Sequence, residues 1–467
     1  MQIPSAADTI CALATPSGAG ALAVIRLSGK NAFAIGSALF RTKKGKQKNF
    51  ESVKPYTLHF GNLMEESEII DEVLVSVFKG PHSYTGEDTL EFSCHGSTFI
   101  QQRVLQQLQR EGARMAEPGE YTLRAFLNGK LDLSQAEAVA DLIAAEHASA
   151  HRSALQQLRG GYSTTIRHLR QQLIDFASLL ELELDFAEED VEFANRDHLK
   201  ILVQTLLKEV RHLRQSFATG NALKQGIPVV IAGKPNVGKS TLLNALLNEE
   251  KAIVSEIAGT TRDVIEDHMI IEGLRFRFMD TAGIRITEDV IEKIGVERTF
   301  SNAGKASIVV YMIDPEKSDE VSVRAELIEL KNKTGNDDYA VITVINKVDQ
   351  HPAIEESSIY HEFPSPIFIS AKQQIHLDEL KTLLLHTAKQ QFRSGDTEIV
   401  TNARHAEALS NAEEALTKVI EGMNHQLSTD LLALELKSAL IHLGEITGEI
   451  YSDDLLGNIF SKFCIGK

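Results

Sequence analysis

Cysteine is scarce in this chain of 467 residues: Cys11, Cys94 and Cys464 are the only three. They are widely separated and lack the spacing of a metal site, and so small and odd a set excludes a disulfide framework and reads as a reduced, cytoplasmic protein. No apolar run is long enough to cross a bilayer, and the opening MQIPS lacks the basic and apolar pattern of a secretion signal. Positive charge is also short, with 48 Lys and Arg against 65 Asp and Glu, a formal net charge of -17. Phosphate contacts supply most nucleic-acid affinity, so a broad basic grip is excluded, and an RNA substrate would need a local patch or a basic partner. The basic run from Arg41 to Lys48 reads as a solvated loop, with nucleic-acid contact as the alternative. Tandem repeats and low-complexity stretches are absent.

What is present stands in order along the middle of the chain. Gly233 to Ser240 reads GKPNVGKS, Gly259 to Asp263 reads GTTRD, and Asp280 to Gly283 reads DTAG. Asn346 to Asp349 follows as NKVD, then Ser370 to Lys372 as SAK. The first lies between an apolar strand signal, Val229 to Ala232, and a helical one, Thr241 to Leu247, the context of a phosphate cradle. There Lys239 reaches the outer phosphates and the Ser240 hydroxyl ligates magnesium. Asp280 ends the strand signal Phe276 to Met279, where a carboxylate can hold magnesium through water, and Gly283 offers an amide to the γ-phosphate. Asp349 can accept both hydrogens of guanine N1 and its exocyclic amine, which adenine cannot supply. Ser370 to Lys372, after Ile367 to Ile369, forms the loop that closes over the base. The set specifies a GTP-hydrolysing switch.

One side chain that such switches use is missing. Ras-type GTPases place a Gln after the DTAG glycine to orient the attacking water, whereas this chain has Ile284. Two groups could compensate. Asn236 could hold a monovalent cation against the phosphates, or be a simple turn-former in a Pro-Asn loop. Glu292 could position water, or belong to a solvated acidic face with Glu288, Asp289 and Glu297.

A chain of this length predicts about three domains. Strand signals at Ala21 to Leu27, Glu72 to Val77 and Thr89 to Phe92, with an amphipathic stretch at Ile100 to Leu108, predict an α+β domain over residues 1–118. Residues 119–225 change to a helical period, with Ile166, Leu169, Leu173, Phe176, Leu180 and Leu184 on one stripe. A second stripe follows from Leu199 to Phe217. The GTPase signature occupies residues 226–385, and residues 386–467 return to helix, with Leu409, Ala412, Leu416, Ile420, Leu436 and Leu443. The expected fold class is therefore multidomain α/β: an N-terminal α+β domain and a discontinuous helical bundle into which a Ras-like P-loop GTPase domain is inserted.

The chain ends in Phe463 to Lys467, FCIGK; Gly466 is not aliphatic, so this is no prenylation signal. Together with AEPGEY from Ala116, RAFLNGKLD from Arg124 and the inserted GTPase, this tail closely resembles the MnmE (TrmE) family of tRNA modification GTPases, over essentially the full length. The resemblance implies a GTP hydrolase that works with the FAD-dependent partner MnmG (GidA). Their joint product is the aminomethyl or carboxymethylaminomethyl group at C5 of the tRNA wobble uridine, with a one-carbon tetrahydrofolate derivative (5-formyl or 5,10-methylene) as carbon source. It implies a folate-binding N-terminal domain that makes a constitutive homodimer. For GTP it implies contacts from Asn236, Val237, Gly238, Lys239, Ser240, Thr241, Thr260, Thr261, Asp280, Thr281, Ala282, Gly283, Asn346, Lys347, Asp349, Ser370, Ala371 and Lys372. Ser240 and Thr261 then bind Mg2+. Asn236, Ser255, Ile257 and Thr260 bind K+. Glu292 orients water and Arg285 belongs to the mobile second switch, although Ile286 stands where many relatives have Glu. Cys464 is a candidate for chemistry at the base, and Arg26, Glu91, Lys130 and Lys467 for folate. Two other readings remain: a GTP-gated ribosome-assembly factor, which usually adds a basic RNA-binding module lacking here, and a non-enzymatic scaffold that uses GTP to dimerise.

Overall fold

The computed structural model describes residues 8–185, 196–248, 267–279, 306–318, 320–334, 339–351, 354, 360–392 and 399–467. The chain forms two compact units. One comprises Met1–Ala144, Leu155–Val210 and Ala408–Lys467, the other Ala145–Ala154 and Arg211–Glu407. No helix among the described residues is long and apolar enough to cross a membrane.

The first unit begins with β1 (Ile10–Leu13), β2 (Leu22–Ser28), α1 (Ala32–Leu39), β3 (Phe40–Thr42), β4 (Thr57–Glu65), β5 (Glu68–Phe78), β6 (Thr89–His95), α2 (Thr98–Arg110) and β7 (Arg114–Met115). The strands make one seven-stranded sheet in the order β3-β4-β5-β6-β2-β1-β7. All neighbours are antiparallel except β1 and β7. Alternation along the strands makes one face apolar and buried, with Ile25, Leu27, Val73, Val75, Leu90 and Phe92 packed with Val104 and Leu108 of α2. The opposite face leaves Leu58 67%, Phe60 53% and Leu74 44% exposed. The basic run after Arg41 is an exposed turn at residues 43–46.

Helices α3 (Glu120–Leu127), α4 (Leu133–Ile143), α5 (Ala148–Leu158), α6 (Ser163–Asp185) and α7 (Arg196–Gln225) follow. Asp132 starts α4 with a capping box: its carboxylate accepts the Gln135 N–H at 2.8 Å, and the Gln135 side chain accepts the Asp132 N–H at 2.9 Å. The helical stripe read in the sequence is the buried side of α6, where Ile166, Leu169, Leu173 and Leu180 face the helix Thr429–Thr447 through Leu432, Leu436, Ala439 and Leu443. Leu184 lies outside the described side chains.

A buried ion network ties α3 to the sheet. Arg124, 4% exposed, donates to Glu120, Asp8 and Glu87 at 2.9, 2.7 and 3.1 Å, and Arg114 bridges the same Glu120 and Asp8 at 2.5 Å each. Burial alone pushes the Glu120 carboxyl up, but hydrogen bonds from Arg114, the Glu117 N–H and Arg124 outweigh it and hold it below the usual carboxylate range. The stability this lowered pKa contributes is thus present above the ordinary Glu range and is lost as pH falls through the lowered value.

The second unit contains β8 (Ile227–Gly233), α8 (Lys239–Asn248), β9 (Asp267–Ile271), β10 (Leu274–Phe278), β11 (Ile308–Ile313), β12 (Ala340–Ile345) and β13 (Pro366–Phe368), with helices Glu320–Thr334 and Leu377–Gln391. The sheet order is β13-β12-β11-β8-β10-β9, parallel except for β9. Its central strands are near-continuous apolar runs because both faces are covered: β11 is buried at every residue. Ligands of such sheets bind beyond the carboxyl ends of the strands, where the loops after β8, β12 and β13 emerge.

Arg124→Ala leaves the Glu120 carboxylate buried without its i,i+4 partner and is expected to cost about 3–5 kcal/mol. Hydrogen exchange of the β2 and β6 amides reads that loss, and protection equal to wild type would show that the network does not hold the sheet.

Candidate functional site

At the carboxyl end of β8 the chain turns through two left-handed residues, Asn236 at φ 63 and Gly238 at φ 106, before α8 begins at Lys239. Only glycine fits at 238: a Cβ there would lie 2.3 Å from Nδ2 of Asn346. That contact organises the site. Asn346 is buried at the end of β12 and donates from Nδ2 to the Val237 carbonyl at 2.8 Å, while its Oδ1 accepts the Ala371 N–H at 2.9 Å. One amide thus joins the phosphate loop, the NKVD turn and the SAK loop.

The side chains around it are arranged for a charged, planar ligand. Lys239 donates to the carbonyls of Gly233 and Lys234 at 2.7 and 2.8 Å, and burial lowers its pKa. Ser240 and Thr241 are exposed in the first turn of α8, whose free N–H groups suit an anion. Lys347, at φ 69, pairs with the fully buried carboxylate of Asp314 at 2.5 Å, which fixes the turn that presents the exposed Asp349. Val348 N–H donates to Ile369 O at 3.2 Å, and Ser370 Oγ accepts the Gln373 N–H at 3.1 Å. Ala371 is buried and Lys372 exposed. Asp314 went unnoticed in the sequence, yet its signal was there, a carboxylate directly after the apolar strand β11. Lys234 is a second omission: its amine pairs with Glu326 at 2.9 Å, and Glu326 also accepts from Tyr311. Nothing in the spacing announces that pair.

Ser255, Ile257, Thr260, Thr261, Asp280, Thr281, Ala282, Gly283, Ile284, Arg285, Ile286 and Glu292 lie outside the described residues.

A second constellation lies in the other unit. Arg26 on β2 stands opposite Glu91 on β6 and pairs with it through two nitrogens, each at 2.8 Å from Oε1. The guanidinium lies 5.4 Å from the ring centres of both Tyr84 and Tyr121. The C-terminal tail closes on the same place: Arg26 donates to Gly466 O at 3.4 Å, Tyr121 N–H to Lys467 O at 3.1 Å, and Gly119 N–H to Cys464 O at 3.5 Å. Gly466 has φ 97, and a Cβ on it would stand 2.2 Å from Leu13 O, so the tail fits against β1 only with glycine there. Cys464 is exposed, Lys467 is half-buried, and Lys130 is exposed on the turn after α3. The fold therefore brings Arg26, Glu91, Gly466 and the backbone of Cys464 and Lys467 together, and adds Tyr84 and Tyr121. Those two tyrosines carry no spacing signal; the loop between β5 and β6 and the α3 start place them.

Residues 9–130 match the family model described as the GTP-binding protein TrmE N-terminus, and residues 133–464 match that of the MnmE helical domain. The tRNA modification GTPase MnmE of Christiangramia forsetii is 55% identical, with 98% of this chain and 99% of the relative covered. The proteins of the same name from Flavobacterium johnsoniae and Bacteroides fragilis are 53% and 50% identical over the same shares.

Asn346→Ala leaves a buried carbonyl and a buried N–H without partners, at about 1–3 kcal/mol in total effect on the loops they hold. GDP affinity by calorimetry is expected to fall roughly 5- to 150-fold; unchanged affinity would mean that the three loops hold their places without this amide.

Proposed function

The chain belongs to the MnmE family of tRNA modification GTPases, a GTP-binding hydrolase acting in tRNA modification, and from that premise we propose the finer chemistry. The reaction is modification of C5 of the wobble uridine to the aminomethyl or carboxymethylaminomethyl form, together with the FAD-dependent partner MnmG (GidA), in the cytoplasm. The observation that carries this reading is the convergence of the C-terminal tail on the Arg26–Glu91 pair. A guanidinium flanked by two aromatic rings beside a carboxylate is a donor and acceptor set for a flat heterocycle that bears carboxylates. A tetrahydrofolate one-carbon derivative, when bound, supplies the methylene carbon. Around it Glu91, held by Arg26, accepts from the pterin amide and amine, Lys130 and Lys467 meet the glutamyl carboxylate, and Cys464 offers an exposed thiol to the base. The exposed apolar face with Leu58, Phe60 and Leu74 supports a homodimer through the N-terminal sheet.

In the GTPase unit, Ser240 with Thr261 holds Mg2+, and Asn236 with Ser255, Ile257 and Thr260 holds K+. The left-handed backbone of Asn236 keeps its exposed side chain at the rim of the phosphate loop, and Ile284 cannot orient water. The cation takes the place that an arginine finger occupies in other such enzymes, and Glu292 orients the nucleophilic water in place of the missing Gln.

GTP turnover is expected to be at least about tenfold faster in potassium chloride than in sodium chloride at matched ionic strength, since an arginine finger in that place supplies about 10³–10⁵. Equal rates would remove the potassium site. For the wobble chemistry, tRNA from cells lacking this protein should lose the C5 group. Restored Arg26→Ala should not recover it and should bind tetrahydrofolate more weakly in calorimetry; full recovery by that variant would separate the Arg26 site from the reaction.

A further inference from the structure

Helix α5 starts without a conventional cap. Its first intrahelical bond, His151 N–H to His147 O at 3.0 Å, makes His147 the capping residue, in place of the usual Ser, Thr, Asp or Asn. His147 Nδ1 lies 2.8 Å from the Ser149 hydroxyl and 3.3 Å from the Ala150 N–H. Burial first, then the charge of Arg275, holds this imidazole below its usual pKa. The N–H of Ser149 goes elsewhere: it donates to the carbonyl of Gly273, in the turn between β9 and β10, at 3.2 Å. Gly273 is left-handed at φ 80, and a Cβ on it would stand 2.9 Å from Cβ of Ala148, so the turn sits directly on the helix start. Beside it Arg275 of β10 pairs with Glu146 at 3.2 Å, and the side chain of Ser149 donates to Leu223 O at 3.1 Å, in the last turns of α7 just before β8.

The capped turn belongs to the hairpin that links two nucleotide motifs. In the sequence, GTTRD from Gly259 precedes β9, and DTAG from Asp280 follows β10 after one residue. β10 pairs in parallel with β8, Phe276 opposite Ile227 and Phe278 opposite Val229, and β8 runs into the phosphate loop. A pull on either motif therefore acts along a strand whose far end is the α5 cap. The carbonyl of Gly273 also lies at the positive end of the α5 dipole, so its displacement removes both a hydrogen bond and a favourable charge contact.

We propose that the β9–β10 turn is a nucleotide-sensitive cap of α5, with Arg275 and Glu146 as positioning residues that hold Gly273 O on the Ser149 N–H in one nucleotide state and release it in the other. This rests on GTP hydrolysis by the chain, not on the folate or potassium readings. The cap gives α5 two arrangements, capped and frayed, whose balance the nucleotide sets.

The test is hydrogen exchange of the full-length protein at the first turn of α5, with GDP and with a non-hydrolysable GTP analogue, each with magnesium and potassium. Wild type should show exchange differing by about 5-fold or more between the two states, the lower end of ordinary coupling. Arg275→Glu, which sets like charges against each other, should abolish the difference, and Glu146→Arg with Arg275→Glu should restore it. Equal exchange of the wild type in both states would overturn the proposal whatever the variants do. So would a nucleotide difference that survives in a folded, GDP-binding Arg275→Glu protein. Contact that merely packs the helix would slow exchange equally in both states and give that first outcome.

Discussion

Asn346 divides one side-chain amide between two loops, and the geometry of the nucleotide site follows from that division. Its Nδ2 takes the Val237 carbonyl and its Oδ1 the Ala371 N–H, so the phosphate loop and the loop after β13 are both set from the end of β12. The requirement for glycine at 238 is the steric face of the same contact, since the loop must lie against the amide for the bond to form. Buried polar groups of this kind are stabilising only when every donor and acceptor is met. Asp314 extends the logic: its buried carboxylate needs the Lys347 amine, and that pairing fixes the backbone preceding Asp349.

The N-terminal unit solves a comparable problem with charges. Arg124 and Glu120 are almost wholly withdrawn from water, where an isolated ion would be prohibitive, and each is matched by several partners. Their effect is positional. They fix the start of α3, and with it Tyr121, whose ring flanks Arg26 and whose N–H receives the tail at Lys467. A tail with glycine at 466 can then lie against β1, bringing the backbone beside Cys464 to the Arg26–Glu91 pair. An apolar replacement of the ion network could stabilise the fold as well, but would not orient a helix start so sharply.

How much of this was legible in the sequence differs between the two sites. The nucleotide loops were readable because each motif is contiguous and sits at the end of an apolar strand, so Asn236, Lys239, Asn346 and Ser370 follow from local spacing. The helical stripes from Ile166 to Leu180 were readable for the same reason, a 3.6-residue period needs no knowledge of distant residues. Strands β1 and β4 were not, because β1 is short and β4 carries apolar groups on its exposed side. The Arg26 cluster is assembled by register between β2 and β6 and by a tail that returns from residue 466, contacts that no local pattern encodes. Family resemblance supplied Arg26 and Glu91; it did not supply Tyr84, Tyr121 or the ion network beneath them.

The start of α5 is illegible in the sequence for a further reason, and that reason bears on how a switch can be read out. The capping position of α5 holds His147 rather than Ser, Thr, Asp or Asn, and the N–H of Ser149 in the first turn is satisfied by the backbone of another segment. A helix with its own cap is indifferent to its neighbours; a helix capped by a hairpin is stable only where the hairpin stands. Local propensity is thereby exchanged for dependence on a distant element, and departures from local consistency of this sort gather where function requires them. The hairpin that supplies the cap is also the segment flanked in the sequence by GTTRD and DTAG. Dependence of α5 on that particular hairpin follows from placing a poor helix start against it, and a strong capping residue at 147 would have dissolved the link.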